Sequence, residues 1–321
     1  LDNRIGGMAM KKKMLVVIPM TSEQKERLEE AAQGMEIIYE EISRISKEQV
    51  KEVNVILGNV PPAWLQEARN LEWIHLNSAG SDPYMVPGIL EPHTLLTCST
   101  GAYGKAVSEH MFAMLLAMQK KLHLYRDDQK QHIWSDHGEV TSITNSLILV
   151  LGAGDIGAHF AAMAHILGAY VIGMKRSPGV CPEAMDELRN MDDLETLLPK
   201  ADVVASFLPS TEETRGMIDK QFLGRMKEGS LLLNGGRGDV VCTEDLCDAL
   251  EQGHLAGAAL DVTAPEPLPK DHRIWDIPNA FVTPHISGSY HLAETLENVV
   301  NIAVENVRRY AKGERLRNLV K

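Results

Sequence analysis

Short apolar runs alternate with longer amphipathic segments from one end of the chain to the other. The early apolar runs at residues 15–18 and 53–57 are each followed by a predicted helix, and the run at residues 71–76 leads into a turn of small residues. A buried parallel strand is a continuous apolar run, whereas a helix packed on a sheet shows a period of about 3.6 residues. The alternation therefore predicts an α/β fold built from parallel sheets.

A long segment without glycine or proline divides this alternation into two series. From about residue 105 to about residue 130, apolar residues recur at helical spacing, as at Val107, Met111 and Leu115. We interpret this segment as one long crossover helix, and a last helix over roughly residues 290–310 as the return of the chain. The predicted domains are residues 8–101 with 289–321, and an inserted domain of residues 102–288.

Composition and charge exclude several classes of function. The 321 residues are enough for two domains, and the formal net charge of -12 disfavours a nucleic-acid partner. No apolar run approaches the roughly 20 residues that span a bilayer, so no membrane partner is expected. Residues 1–7 resemble a remnant of cloning, with the native start at Met8 or Met10.

The four cysteines, Cys98, Cys181, Cys242 and Cys247, lack the spacing of a metal site or a redox motif. We expect buried free thiols, a cytoplasmic location and no metal site.

Three polar residues stand in ordered turns after late apolar runs. Arg237 lies in Asn-Gly-Gly-Arg-Gly, Glu266 in Ala-Pro-Glu-Pro-Leu, and His285 in Thr-Pro-His-Ile-Ser-Gly. Loops beyond the carboxyl ends of parallel strands form the ligand crevice of an open α/β sheet, so these side chains are expected to converge there. A fixed cation, a carboxylate and a histidine can bind an organic anion and move a proton.

A glycine-rich turn supplies the motif for a cofactor. The apolar run 147–151 leads directly into Gly152-Ala-Gly154-Asp155-Ile156-Gly157 and then into a helical stretch. In this context the glycines permit a tight turn, close approach of a pyrophosphate and close packing of helix on strand. The motif predicts a Rossmann dinucleotide-binding domain whose helix N-terminus holds the phosphates.

The end of the next predicted strand bears on which nicotinamide cofactor is bound. An acidic residue there would bind the ribose 2′-hydroxyl of NAD, but this chain has Lys175, Arg176 and Ser177. Two cations and a hydroxyl can bind a 2′-phosphate, so we predict that NADP(H) is preferred over NAD(H).

Together these motifs resemble the D-isomer-specific 2-hydroxyacid dehydrogenase family. The resemblance also includes Val107-Ser108-Glu109-His110, Leu260-Asp261-Val262 and the segments around Glu266 and His285. It implies that Arg237, Glu266 and His285 are catalytic, that the outer domain is flavodoxin-like, and that homodimers form through the cofactor domain. It also implies that Asp261 binds the nicotinamide carboxamide.

The predicted site includes further residues. We expect the cofactor to be bound by the glycine turn, by the residues at the end of the next strand and by residues of neighbouring loops. We expect a turn of small residues to bind the substrate carboxylate through its backbone amides. The cofactor set is Gly152, Gly154, Asp155, Ile156, Gly157, Lys175, Arg176, Ser177, Leu208, Pro209, Thr214, Gly235 and Asp261, and the substrate set is Ser78, Ala79, Gly80 and Arg237. Glu109 and His110 are expected to pack the helix, and Trp134 is a candidate for the substrate region.

The predicted reaction is hydride transfer between NAD(P)H and a 2-keto acid, with Arg237 as anchor, Glu266 as orienter and His285 as acid–base. Two alternatives remain open: a nucleotide-sensing protein similar to corepressors of this fold, and a dehydrogenase of formate or phosphite. Formate enzymes of the resembled family usually carry Gln at the position of Glu266, which disfavours formate.

Overall fold

The structure is a computed structural model that describes residues 11–176 and 179–321. Ser177, Leu1–Gly7, Met8 and Met10, about which the sequence made predictions, lie outside the described residues. The described chain divides into two compact units, one up to Ala102 with Ala293–Lys321, the other Tyr103–Leu292.

The first unit contains a five-stranded parallel sheet with the order β2-β1-β3-β4-β5, which is that of flavodoxin-like folds. Its inner strands are largely buried, whereas Glu36–Tyr39 at the edge of the sheet has no buried residue. The first helix begins with a capping box in which Thr21 and Gln24 bond reciprocally. In chain order its elements are β1 (Lys13–Val16), α1 (Ser22–Ala31), β2 (Glu36–Tyr39), α2 (Lys47–Glu52), β3 (Val55–Leu57), α3 (Pro62–Leu65), β4 (Trp73–His75) and β5 (Leu95–Thr97).

The second unit contains a seven-stranded parallel sheet with the order β12-β11-β10-β9-β6-β7-β8, an extended Rossmann order. Its elements are α4 (Gly104–Gln119), α5 (Leu122–Gln131), β6 (Leu147–Leu151), α6 (Asp155–Ile166), β7 (Tyr170–Lys175), β8 (Glu187–Asn190), α7 (Leu194–Leu197), β9 (Val203–Ser206), α8 (Lys220–Arg225), β10 (Leu231–Asn234), α9 (Thr243–Glu251), β11 (Gly257–Leu260) and β12 (Ala280–Val282). Helix α10 (Ala293–Ala311) then completes the first unit.

The order of strands places the late loops side by side. Strands β10, β11 and β12 are parallel neighbours, and their registers align Leu260 with Asn234 and with Val282. The carboxyl ends of these strands therefore lie at one edge of the sheet. The fold class predicted from the sequence, two doubly wound parallel sheets, is confirmed.

The prediction of one continuous crossover helix is wrong. The helix ends at Gln119 and a second helix begins at Leu122, because Lys121 between them adopts a left-handed conformation with φ of 56°. An αL residue cannot continue a right-handed helix, so the chain turns here.

The prediction that all four thiols are buried is also wrong. Cys98 and Cys247 are buried, Cys242 is half-buried and Cys181 is exposed. Cys181 is exposed because it lies in the loop between β7 and β8 rather than in a core element. Among the described residues, no helix has both the length and the apolar character needed to cross a membrane.

Candidate active site

The glycine turn between β6 and α6 has the geometry expected of a phosphate-binding loop. Gly152 has φ of 95°, and a Cβ on Gly157 would lie 2.3 Å from the carbonyl oxygen of Gly152. At Gly154, the N-cap of α6, a Cβ would point into open space. That space admits a pyrophosphate next to the helix N-terminus, whose amides and dipole favour an anion. Asp155 and Ile156 form the first turn of α6.

Two cations lie at the end of β7, where the ribose of a dinucleotide is read. Lys175 is the last residue of the strand, and Arg176 follows it, with both side chains exposed. The Arg176 guanidinium lies 3.7 Å from Glu213, a carboxylate from the loop after β9. Hydrogen bonds from the Thr211 side chain and the backbone, together with Arg176, lower the pKa of Glu213.

The loop after β9 is held by its own hydrogen bonds. The Thr214 hydroxyl donates to the Pro209 carbonyl at 2.6 Å and accepts from the Thr211 amide at 2.8 Å. Leu208 is buried beneath this loop. Gly235 follows β10, and its amide donates to the carbonyl of Ser206 at the end of β9. These residues follow β9, which pairs with β6, and β10, which pairs with β9, and the end of β6 carries the glycine turn.

The loop that carries Arg237 is packed directly on the loop that carries Glu266. A Cβ on Gly238 would lie 1.9 Å from the carbonyl oxygen of Thr263, so only glycine allows this approach. Asn234 stabilises the turn, because its amide nitrogen donates to the Arg237 carbonyl at 3.0 Å. The Arg237 side chain is half-buried, and Nη1 donates to the Gly236 carbonyl at 2.9 Å.

Glu266 and His285 form a hydrogen-bonded pair across the ends of β11 and β12. Glu266 Oε2 lies 2.8 Å from His285 Nδ1, while Oε1 accepts from the Thr263 amide at 2.9 Å. Because the carboxylate accepts at Nδ1, that nitrogen carries a proton and Nε2 is left for exchange with a ligand. About half of the His285 side chain is exposed, so a ligand can reach it.

Asp261, at the end of β11, is almost fully buried beneath the His285 loop. Its carboxylate accepts hydrogen bonds from Thr283, Ile286 and Ser287, the residues around His285. Burial alone would raise the pKa of Asp261, but these hydrogen bonds outweigh burial and hold its pKa below the ordinary value.

The predicted substrate turn lies in the first unit, directly after β4. Asn59 and Asn77 exchange amide hydrogen bonds, at 2.7 Å and 3.1 Å, which fixes the start of the turn. Ser78 donates to the Gly80 carbonyl at 2.7 Å, and its own carbonyl accepts from the Ser99 amide. Ser78, Ala79 and Gly80 therefore belong to a turn shaped by hydrogen bonds on both sides.

Two polar residues of the second unit, one in helix α4 and one in the loop after β9, were not predicted for the site. His110 Nε2 lies 3.0 Å from the Thr283 hydroxyl, and Glu213 pairs with Arg176. The Ser-Glu-His motif in α4 was a signal for His110, but the apolar stripe around it favoured a packing role. No motif in the sequence indicated Glu213, because its loop is not adjacent to β7 in the sequence.

Comparison with known proteins gives the family. The profile of the D-isomer specific 2-hydroxyacid dehydrogenase, NAD binding domain, matches residues 112–287. The chain is 31% identical over 268 residues to a glyoxylate/hydroxypyruvate reductase B of Pectobacterium carotovorum, covering 82% of this chain and 83% of that protein.

Solved structures agree with this assignment. A D-isomer specific 2-hydroxyacid dehydrogenase family protein from Aeromonas salmonicida superposes with a TM-score of 0.84 at 30% identity, covering 97% of this chain and 99% of that one. A D-isomer specific 2-hydroxyacid dehydrogenase from Xanthobacter autotrophicus, solved with NADPH and MES, superposes with a TM-score of 0.80 at 25% identity and covers 97% and 98%. The chain belongs to the D-isomer specific 2-hydroxyacid dehydrogenase family.

Proposed function

We propose that this protein reduces a 2-keto acid to the D-2-hydroxy acid and uses NADPH in preference to NADH. The observation that carries the proposal is the contact of 2.8 Å between Glu266 and His285, on a loop packed against that of Arg237. An acid–base pair next to a guanidinium, at the carboxyl edge of a Rossmann sheet, matches the needs of keto-acid reduction.

Each side chain has a role that follows from its chemistry. The planar fork of Arg237 binds the substrate carboxylate and fixes the direction of the keto group. Glu266 stabilises the protonated imidazole of His285, which donates its proton from Nε2 to the keto oxygen. The amides of Ser78, Ala79 and Gly80 are proposed as further donors to the carboxylate.

The nicotinamide, when bound, supplies the hydride. Gly152, Gly154 and Gly157 would hold the pyrophosphate at the start of α6, with Asp155 and Ile156 in the helix turn. Leu208, Pro209, Thr214 and Gly235 would line the cofactor from the neighbouring strands.

The preference for NADPH rests on the cations at the end of β7. Lys175 and Arg176, with Ser177, would bind the 2′-phosphate, and the two cations are exposed to solvent. The Xanthobacter relative, which was solved with NADPH, supports the same choice.

A panel of anions assayed with both cofactors tests this proposal. We expect turnover of glyoxylate, hydroxypyruvate or a bulkier 2-keto acid, with kcat/KM higher for NADPH than for NADH. A preference of about tenfold for NADH would contradict the cofactor assignment, because it exceeds the effect of a weak surface contact. Oxidation of formate or phosphite instead, or binding of NADPH without any turnover, would contradict the reaction.

We also propose that a second copy of the chain covers α5 and the loop after it. None of the residues of α5 is buried, and Leu122, Ile133 and Trp134 are exposed, with Trp134 fully so. Next to Trp134 is a pocket of about 690 Å³ that Tyr125 and Gln129 help to line. A protruding aromatic side chain and a pocket on one surface suit a two-fold interface, in which each copy presents both.

A further inference from the structure

We infer that Ser99 is a positioning residue for the substrate carboxylate, and that His75, in contact with it, fixes the direction of its hydroxyl. Both residues act through the turn of Ser78, Ala79 and Gly80 and do not touch the substrate themselves. The inference deepens the proposed function, and it rests on the proposed binding of the substrate carboxylate by the amides of that turn.

The first observation is that Ser99 holds the turn at two carbonyls. Its hydroxyl donates to the Leu76 carbonyl at 2.8 Å, and its amide donates to the Ser78 carbonyl at 2.9 Å. A peptide unit is planar and trans, so a carbonyl held in one direction holds the N–H of the next residue in the opposite direction. The bond to Ser78 therefore directs the N–H of Ala79, one of the amides proposed to bind the carboxylate.

The bond to Leu76 fixes the start of the same turn. The peptide unit that contains the Leu76 carbonyl also contains the N–H of Asn77, which donates to the Asn59 side chain at 3.1 Å. This peptide unit is therefore held at both of its polar groups. Without the Ser99 hydroxyl it is held at the N–H alone, and the residues that follow it lose one of their constraints.

The second observation is a chain of hydrogen bonds that has a single direction. A carbonyl only accepts, so the one proton of the Ser99 hydroxyl goes to Leu76, and its oxygen accepts from His75 Nε2 at 3.2 Å. Burial lowers the pKa of His75 to about 3, so the ring is neutral and Nδ1 accepts from the Thr97 hydroxyl at 2.8 Å. The Thr97 oxygen accepts from Trp73 Nε1 at 2.9 Å. Because an indole N–H only donates, the chain cannot run the other way.

The third observation is that this polar chain lies in the core. The side chains of Trp73, His75, Thr97 and Ser99 are fully buried. Buried polar groups cost free energy unless they are paired, and here each one is paired. Apolar side chains would fill the same volume without that cost. The contact that the chain ends on, at the carbonyl of Leu76, gives the polar residues their purpose.

Ser99→Ala tests the inference against a matched control at the other end of β4. Ser99→Ala removes a buried hydroxyl that donates to the carbonyl after β4, and Thr94→Val removes one that donates to the Leu71 carbonyl before it. Ser99→Ala should raise the KM of hydroxypyruvate about fivefold, the effect of one net hydrogen bond, with kcat within about twofold. Thr94→Val should leave the KM unchanged. Amide hydrogen exchange at residues 77–80 should become faster in Ser99→Ala alone.

Two variants of His75 test the direction of the hydroxyl. A glutamine amide can still donate to the Ser99 oxygen, whereas leucine fills space and donates nothing. His75→Leu should raise the KM as Ser99→Ala does, and His75→Gln should keep it within about twofold of the wild-type value. An equal KM in the two variants would overturn the role of His75. If His75→Leu does not fold, Ser99→Ala and its control decide alone.

The outcomes separate the inference from the proposed function. A normal KM in Ser99→Ala, or an equal rise in Thr94→Val, would overturn the inference, because the hydroxyl would then have no specific effect on the turn. A raised KM with unchanged exchange at residues 77–80 would also overturn it. If the wild-type protein turns over no 2-keto acid, the proposed function fails instead, while the exchange in Ser99→Ala still shows whether Ser99 holds the turn.

Discussion

Arg176 has a carboxylate beside it before any cofactor arrives. Glu213 lies 3.7 Å away on an exposed loop, at the place where a 2′-phosphate would meet the same guanidinium. A bound phosphate must therefore compete with Glu213 for Arg176. Because the ion pair is exposed, this competition is weak, and it affects NADPH more than NADH.

Glu213→Gln should strengthen the binding of NADPH by about two- to fivefold, the range expected when one exposed ion pair is removed. The Kd of NADH should hardly change, since NADH has no 2′-phosphate. Fluorescence titration with both cofactors measures the effect, and Glu212→Gln, one residue earlier, is the matched control. Equal changes for NADPH and NADH, or for both variants, would show that Glu213 does not compete at Arg176.

Arg237→Lys should raise the KM of the 2-keto acid by about tenfold or more, because lysine cannot form the two parallel hydrogen bonds of a guanidinium to a carboxylate. Steady-state kinetics at saturating NADPH measure this change. Arg215→Lys, in the loop after β9, is the control and should leave the KM unchanged. A normal KM in Arg237→Lys would remove Arg237 from substrate binding.

At the residue scale, the sequence predicts side chains that stand in rigid turns next to strands. Arg237, Glu266 and His285 could be selected in this way, since glycine and proline mark those turns in the sequence itself. The sequence could not predict the hydrogen bonds that the Asp261 carboxylate accepts, or the contact of His110 with Thr283. Both are contacts between residues that are far apart in the sequence. In addition, the apolar stripe of the helix that carries His110 favoured a packing role for that residue.

Helices show where local pattern is insufficient. The apolar spacing of α4 predicted a continuous helix, but the chain turns at Lys121, which no glycine or proline marks. Intrinsic helix propensity is a weak preference that tertiary packing overrides, and lysine is a good helix former. The ends of α5, at Lys121 and His132, are both left-handed, and neither was visible in the pattern.

Helix α10 carries a buried hydroxyl whose removal should stabilise the protein. Thr295 is 1% exposed, and its hydroxyl has no hydrogen-bond partner in the described chain. Thr295→Val should raise the free energy of unfolding by about 1 kcal/mol, since the cost of a buried unpaired hydroxyl is relieved. Urea denaturation measures this change.

The matched control is Thr94→Val in the same unit. Thr94 is 2% exposed, and its hydroxyl donates to the Leu71 carbonyl at 2.8 Å. This exchange should destabilise the protein by about 1 kcal/mol, because it leaves a buried carbonyl without that donor. A destabilised Thr295→Val would contradict the assignment of an unpaired hydroxyl.

For the whole molecule, the alternation of strands and helices and the glycine motif were sufficient to predict the fold class. Each apolar run is short and bounded by turn residues, which leaves little choice other than parallel strands. The order of strands within each sheet could not be worked out from the apolar runs alone. It is the order of the Rossmann and flavodoxin-like folds, which the glycine motif and the family resemblance implied. The surface proposed to meet another copy of the chain consists of exposed side chains, and exposed side chains show no periodic pattern in the sequence.

Trp134→Ser should weaken self-association, because a fully exposed tryptophan beside a pocket is a typical centre of an interface. Sedimentation velocity should show a dimer for the wild-type protein and a larger monomer fraction for the variant. Val180→Ser is the control, since Val180 is also highly exposed but lies in the loop after β7. A monomeric wild-type protein, or a variant that dimerises normally, would exclude α5 and its loop as the interface.

The most direct test of the proposed reaction is the kcat of His285→Ala with hydroxypyruvate and NADPH at saturation. Loss of the proton donor should lower kcat by about 100-fold or more, while the Kd of NADPH stays within about twofold. His165→Ala, an exposed histidine of α6, should keep normal kcat. A His285→Ala variant with near-normal kcat would contradict the central claim that His285, oriented by Glu266, donates the proton.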